Sequence, residues 1–485
     1  MQLRLDRDVN PVVQFFECAD RTPDSPAVVS VGGTLKFGDI ADTVRRMASK
    51  LEQSGVRQGS VVGVNARPEM EAVAMLALLQ LGAVSMRVSE TILRGYRDSI
   101  DLVLTDGMAR GAGDLPVVEL SLDFVRSLAG AAPRAGIVEL GGDDVVRVVF
   151  SSGTTGTPKG VPFTSDYLTA RVDSAHRNWI PRVPFMSLLG LDTVTGYQTF
   201  MWAMMNGETY FAVAGAAENF SLISQNRVAA IKTSPARLAD VLVEAERAGK
   251  PQTALEIVEV AGSLIPSKTV TECQMFFGVT PTYLYGSTEV GTVTRGTVDT
   301  LSPSMVGEIV DEIDAEIVDE NGAALPAHTE GILRFRKDGM PSGYWKNPVT
   351  TGFSGFRDGW FYPGDYGRID DQNRLWLAGR RDDLVNAGGA KFNLLDLDQW
   401  LVESGLFLDA ASFQFTNATG ATSVGIAFVT KHPPEPAILA ARVKEFLPDL
   451  AFGALVRMAE IPRNQLGKVD RTIISNNITP SKGKS

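Results

Sequence analysis

One run of residues, Phe150-Ser151-Ser152-Gly153-Thr154-Thr155-Gly156-Thr157-Pro158-Lys159-Gly160, gathers glycines, hydroxyls and a lysine directly behind an apolar stretch, Val145 to Phe150. Glycine lets a backbone turn tightly and brings N–H groups close to phosphate oxygens. The hydroxyls and Lys159 add further donors. The chemistry open to such a loop is to cradle a polyphosphate. It is not a Walker A loop, because G-x-x-x-x-G-K-[ST] is absent. By composition alone a Ser/Thr/Gly-rich surface turn is the favoured explanation, and the enclosed lysine weighs against that without deciding it. Metal chemistry on histidine or cysteine has little support. His176, His328 and His432 lie far apart, no H-E-x-x-H is present, and the two cysteines, Cys18 and Cys273, lack metal spacing. Both read as buried small hydrophobes in a reducing, cytoplasmic setting.

The loop needs a scaffold, and the surrounding pattern supplies one. Val61 to Val64 and Leu102 to Thr105 read as strands, and Pro68 to Leu81 as a helix stopped by Gly82. The segment from Pro11 to Leu51 has helical periodicity broken by a hairpin, Ala27–Ser30 and Thr34–Phe37, around Gly32-Gly33. Strand–helix–strand alternation recurs to about Pro281, which predicts an α/β fold with parallel sheets. From about Met305 short alternating runs such as Ala315–Val318 and Gly331–Phe335 predict a small antiparallel β-subdomain. A third region from near Gly379 reads as a separate α+β domain, with strands at 412–416 and 423–429 and helices at 395–403 and 436–446.

The chain has 485 residues, too many for one ordinary core. Its net charge of −11 lacks the basic footprint of a nucleic-acid binder, so no nucleic-acid partner is expected. The best apolar run, Val73 to Val84, is too short for a bilayer, so no integral membrane segment is expected.

The run at 150–160 resembles the phosphate loop of the AMP-dependent synthetase and ligase superfamily. That superfamily joins acyl- and aryl-CoA synthetases, peptide-synthetase adenylation domains and firefly-type luciferases. Four more motifs follow in its order and spacing and together cover nearly the whole chain. They are Tyr285-Gly286-Ser287-Thr288-Glu289; Asp358 to Gly367; Gly379-Arg380-Arg381-Asp382-Asp383-Leu384 with 385–392 behind it; and Pro462 to Arg471.

The resemblance implies a large N-terminal domain, 1–381, with its β-subdomain at about 305–381, joined by a hinge at Asp382 to a small mobile domain, 382–485. It implies that ATP phosphates lie on Ser151, Ser152, Gly153, Thr154, Thr155, Gly156 and Lys159. Tyr285 would stack on adenine beside Gly286, Thr288 would meet the α-phosphate, and Glu289 would help hold Mg²⁺. Asp365 would accept from both ribose hydroxyls, which suits a carboxylate facing a vicinal diol, and Arg380 would contact the ribose. Lys468 would reach the carboxylate and the α-phosphate, so that Lys468, Glu289 and Thr154 form the catalytic set. Gly388-Gly389 would clear a path for an acceptor thiol, CoA first. A carrier protein or an amine acceptor are the alternatives.

Some positions depart from the family. Pro363 replaces a common threonine, Asn386 a basic or hydroxyl residue, and Leu394 a proline. The aromatic–histidine segment of many acyl-CoA synthetases matches 184–191, which has no histidine. Asp192 compares loosely with the aspartate that grips an amino group in amino-acid-activating relatives. The candidate acid-pocket segments, 187–197, 230–237, 261–265 and 283–287, are mostly apolar and predict an aliphatic or aromatic acid.

Overall fold

A computed structural model describes residues 10–107, 110–151, 158–175, 183–249, 253–263, 265–297, 304–346, 355–380, 384–387, 390–416, 422–430, 436–446, 452–463 and 469–476. Six strands form one sheet in the order Val117–Glu119, Leu102–Thr105, Val61–Asn65, Val84–Arg87, Val145–Ser151, Lys159–Thr164. All its pairs are parallel except the last, which is the antiparallel pair on either side of the expected phosphate loop. The helix Pro68–Gln80 opens on a proline, whose missing N–H costs nothing at a first turn, and is buried almost all round. The expected hairpin is present as Pro26–Ser30 and Gly33–Lys36, but Phe37 does not belong to it. Phe37 opens the helix Phe37–Gln53 instead, because it lies on the buried stripe with Ile40, Ala41 and Val44, at helical spacing.

A second sheet begins with four parallel strands, Phe185–Ser187, Ala230–Thr233, Ile257–Ala261 and Thr282–Ser287. It continues antiparallel through Gly291–Thr297, Met305–Ile309, Arg374–Arg380 and Asp365–Ile369 to Gly331–Arg336. The antiparallel strands expected beyond Met305 are therefore present, but they extend the parallel sheet. Alternating hydropathy reports which faces are wet. It does not report whose edge a strand will pair with.

The two sheets are tied through Arg147, on the strand that leads into the expected phosphate loop. Only 1% of its side chain is exposed, and it lies 3.3 Å from Glu71 Oε1. It also donates to the Leu191 carbonyl (2.6 Å) and to Ser85 Oγ (3.3 Å). Its charge thus meets both a carboxylate and acceptors, the condition for tolerating a buried ion.

The C-terminal region packs helices Leu394–Glu403 and Pro436–Phe446 on a sheet of Asp409–Thr416, Thr422–Val429 and Phe452–Arg457. Its core, including Leu397, Leu401, Val424, Ile426, Leu439 and Val443, is a cluster of its own. The fold is a large α/β region with parallel strands followed by a small α+β region. Both cysteines are free and buried, and burial pushes the Cys273 thiol up to about 12. No helix of the described residues is long and apolar enough to cross a membrane.

Candidate active site

Two corners of the large region bring the candidate residues together. The first is built on hairpins. Thr282–Ser287 pairs with Gly291–Thr297 with a bulge after Tyr285. A Cβ on Gly286 would lie 2.1 Å from the Gly291 carbonyl oxygen, so this turn takes glycine only. Asp365 sits opposite Arg380 in the pairing of Asp365–Ile369 with Arg374–Arg380. Arg380 Nε lies 3.6 Å from Asp365 Oδ1, and its Nη2 donates to the Pro363 carbonyl at 3.2 Å. The Nε is buried and has no hydrogen-bond partner, a donor waiting for an acceptor such as a sugar oxygen. Tyr285 donates its hydroxyl to Asp365 Oδ2. Burial, and then the Asp365 charge, push the Tyr285 phenol well above its usual range, so it remains a donor. The Tyr285 ring rests edge-on against Phe335.

The second corner is held by aromatic hydroxyls that the sequence did not single out. Ser151 and Lys159 face each other at the mouth of the phosphate loop. Tyr96 clamps that mouth, donating to the Pro158 carbonyl (2.9 Å) and accepting from the Gly160 N–H (3.0 Å). Tyr344 joins Lys159 to Glu289. Its ring centroid is 5.0 Å from Lys159 Nζ, a cation–π distance, and its hydroxyl donates to Glu289 Oε1 at 3.0 Å. Burial and the Glu289 charge raise the Tyr344 phenol, which therefore remains a donor. Tyr167 fixes the backbone of the same residue by donating to the Glu289 carbonyl (2.9 Å), and Arg171 donates to the Tyr167 hydroxyl (3.0 Å). Thr288 is half-buried beside them. For Tyr344 the only signal in the sequence is an aromatic pair, Tyr344-Trp345, in a turn-rich segment.

Glu289 is 5% exposed, and its carboxylate offers the hard oxygen that Mg²⁺ prefers. Among the described residues no three His, Cys, Asp or Glu converge on a metal site. One carboxylate, completed by substrate phosphates and water, is the donor set Mg²⁺ ordinarily takes. The residues present therefore fit that ion.

Ser152, Gly153, Thr154, Thr155, Gly156, Asp382, Gly388, Gly389 and Lys468 lie outside the described residues. Their flanks are described. Ala387 pairs with Ala390, and Arg463 forms a bridge with Val469. Gly379, just before the expected hinge, has φ +120°, and a Cβ there would strike the Asn393 side chain at 1.5 Å. Asp192 lies over its own loop, its Oδ1 2.7 Å from where a Cβ on Gly190 would sit.

The family model of AMP-binding enzymes matches residues 15–96 and 102–345. The chain belongs to the AMP-binding enzyme family. This AMP-binding enzyme is 26% identical to the 2-succinylbenzoate–CoA ligase of Geobacillus kaustophilus, over 93% of this chain and 94% of the relative. It is 24% identical to a 4-chlorobenzoate–CoA ligase from Arthrobacter sp, covering 81% and 80%. The tyrocidine synthase 3 of Brevibacillus parabrevis is 26% identical over 96% of this chain, which spans only 8% of that relative. Among solved structures, the o-succinylbenzoate CoA synthetase of Bacillus subtilis with its acyl-adenylate intermediate superposes with a TM-score of 0.82 at 20% identity, covering 95% and 97%. ATP-bound MatB from Rhodopseudomonas palustris does so with a TM-score of 0.83 at 20% identity, covering 96% and 98%. These likenesses establish the shared fold.

Proposed function

We propose that this AMP-binding enzyme joins a carboxylic acid to ATP as an acyl-adenylate, releases pyrophosphate, and passes the acyl group to a thiol, CoA first. The observation that carries the reading is the convergence of Tyr285, Asp365 and Arg380, from segments 80 residues apart, into one acceptor–donor set with an unpartnered Arg380 Nε. A vicinal diol matches that set. Relatives matching 93% and 81% of the chain carry the names of CoA ligases, which supports CoA as the first acceptor.

The substrate carboxylate oxygen would attack the α-phosphorus as the bond to the pyrophosphate oxygen breaks. No side-chain nucleophile is needed. Asp365 and Arg380 would hold the ribose, Lys159 the phosphates, and Lys468 the charge growing on the phosphoryl oxygens. Mg²⁺ beside Glu289 would supply electrostatic stabilisation of the phosphates. The thiol would then attack the acyl carbon and AMP would leave. Domains at 1–381 and 382–485, pivoting at Asp382, would bring Lys468 and then Gly388-Gly389 to the same site. A reducing, cytoplasmic setting accords with the two free cysteines.

The test is ATP–pyrophosphate exchange over a panel of acids, followed by mass-spectrometric detection of acyl-CoA. Asp382→Pro, which fixes one backbone dihedral at the pivot, is expected to spare exchange and abolish acyl-CoA. Adenylate that ignores CoA and carrier proteins but acylates an added amine would replace the thiol by an amine acceptor. Absence of exchange with every acid would overturn the adenylation reading itself.

A further inference from the structure

Behind Glu289 lies a chain of buried polar groups that ends on a guanidinium. The strand Lys159–Thr164 runs directly into the helix Ser165–Ser174, and the Thr164 hydroxyl sets its first turn by accepting from the Tyr167 N–H (3.1 Å). Tyr167 and Arg171 stand four residues apart on that helix and so share one face. Both are buried. Arg171 Nη1 donates to the Tyr167 hydroxyl (3.0 Å), and that hydroxyl donates to the Glu289 carbonyl (2.9 Å). A guanidinium can only donate. It therefore takes a lone pair of the phenol oxygen and leaves the phenol's one proton for Glu289.

Arg171 is itself gripped by Gln198, on the helix Val194–Asn206. Gln198 Oε1 accepts from Arg171 Nη2 (3.0 Å), and its Nε2 donates to the Arg171 carbonyl (2.6 Å). On its other side the guanidinium meets the turn that carries Glu289. Ser287 pairs with Gly291 at the base of that turn, and Ser287 Oγ accepts from the Val290 N–H (3.3 Å). Gly291 has φ +98°, and a Cβ there would lie 2.5 Å from Arg171 Nη1 and 2.8 Å from its Cζ, so glycine leaves the room that the guanidinium fills. The turn is thus met by Arg171 at Gly291 and, through Tyr167, at the Glu289 carbonyl. Tyr344 takes the carboxylate from the far end.

An arginine that only tied two helices together would need Gln198 but not the turn. We infer that Arg171 is a positioning residue for Glu289: held by Gln198 and acting through Tyr167, it fixes the backbone of Glu289 so that the carboxylate is set for Mg²⁺. It acts through the geometry of its donors, which a lysine does not reproduce. This inference rests on the reading of Glu289 as the magnesium carboxylate.

The experiment needs no turnover. Mn²⁺, which shares the preference of Mg²⁺ for carboxylate oxygens, is titrated by electron paramagnetic resonance into the full chain with ATP and without acid. Tyr167→Phe and Arg171→Lys are each expected to weaken Mn²⁺ binding about threefold to tenfold, the loss of roughly one hydrogen bond, and to leave metal-free AMP binding within about twofold. In the metal-free protein, hydrogen exchange over 286–294 is expected to quicken in both variants, while that over 102–105 stays unchanged. If Tyr167→Phe does not fold, Gln198→Leu serves, since it releases Arg171 and keeps the phenol. Glu289→Gln is the control. If it weakens Mn²⁺ binding and the other variants do not, Arg171 is a structural tie and the inference is overturned. AMP and Mn²⁺ weakened alike overturn it too, as does Arg171→Lys with wild-type Mn²⁺ binding. If Glu289→Gln itself leaves Mn²⁺ binding unchanged, the metal assignment falls and the inference with it. The expected Mn²⁺ losses beside a wild-type enzyme that shows no pyrophosphate exchange with any acid would uphold the inference and overturn the adenylation reading alone.

Discussion

The Asp365–Arg380 corner and the Lys159–Glu289 corner of this site, which we propose to take ribose and phosphate and call the ribose and phosphate corners, are built on different principles. At the first, Asp365 and Arg380 are register partners on adjacent strands, and the β-ladder itself delivers carboxylate to guanidinium. At the second, Lys159, Tyr344 and Glu289 come from separate segments, with Tyr344 and Glu289 55 residues apart, and Tyr344 joins them through its ring on one side and its hydroxyl on the other. Tyr96 and Tyr167 repeat the device at the loop mouth and behind Glu289. A ladder positions groups through many shared backbone bonds. A phenol positions them through one bond each, so the phosphate corner should respond in small steps to single hydroxyl losses and the ribose corner in one large step.

Lys468→Ala sets the upper end of the scale, since its proposed role is a contact made to the transition state. Loss of a contact made to the transition state costs on the order of a hundredfold or more in rate. The expected result is that adenylate formation collapses while a preformed acyl-adenylate still reacts with its acceptor. Equal loss in both half-reactions would place Lys468 among the general binding groups.

Asp365→Ala comes next. It leaves buried donors unpaired, at about 1–3 kcal/mol, which corresponds to a KM for ATP raised roughly tenfold to a hundredfold. KM for the carboxylic acid should not change. A parallel rise in both would mean that the ribose corner is not a separate unit.

Tyr344→Phe keeps the ring under Lys159 and removes only the hydroxyl on Glu289. A hydrogen bond to a charged group contributes about 1.5–3 kcal/mol. We expect kcat to fall about tenfold, the lower end of that range, and the Mg²⁺ concentration for half-maximal rate to rise, with KM for ATP little altered. An unchanged Mg²⁺ titration would detach Tyr344 from the metal's carboxylate.

The smallest effect is expected for Tyr285→Phe. In the free enzyme the Tyr285 hydroxyl occupies the acceptor oxygen that the ribose would use. Removing it retains the ring and frees Asp365, so KM for ATP should fall, by about twofold to threefold, the lower end of the usual net value of one hydrogen bond. A tenfold rise would show that the hydroxyl itself holds nucleotide.

Much of this was legible in the residues. The strands at 61–65 and 102–105 and the helices at 68–80 and 436–446 follow from period and punctuation, which are local properties. Asp365, Arg380 and Tyr285 were named from motif resemblance, and the fold brings them together. What escaped were groups whose roles depend on distant partners. Tyr344 looks like one aromatic among turn residues until Lys159 and Glu289 arrive on either side of it. Lys232 and Glu259 sit singly in apolar strands, where a lone charge passes unremarked. Only the parallel register sets them side by side. Phe37 was assigned to a strand because a hairpin and a helix meet there, and only packing against the core chose between them.

The sequence by itself determined the family, the order of α/β and α+β regions, and the motifs that carry Tyr285, Asp365 and Arg380, because glycine turns, strand periods and short motifs act within a few residues. Tertiary structure alone decided that the strands beyond Met305 extend the parallel sheet, that phenols hold Lys159 and Glu289 together, and that Lys232 and Arg295 meet the buried Glu259 on one face of the sheet. Each of those outcomes depends on which strand edge or helix face lies opposite, and a contact between residues far apart in the chain leaves no period in either segment to be read.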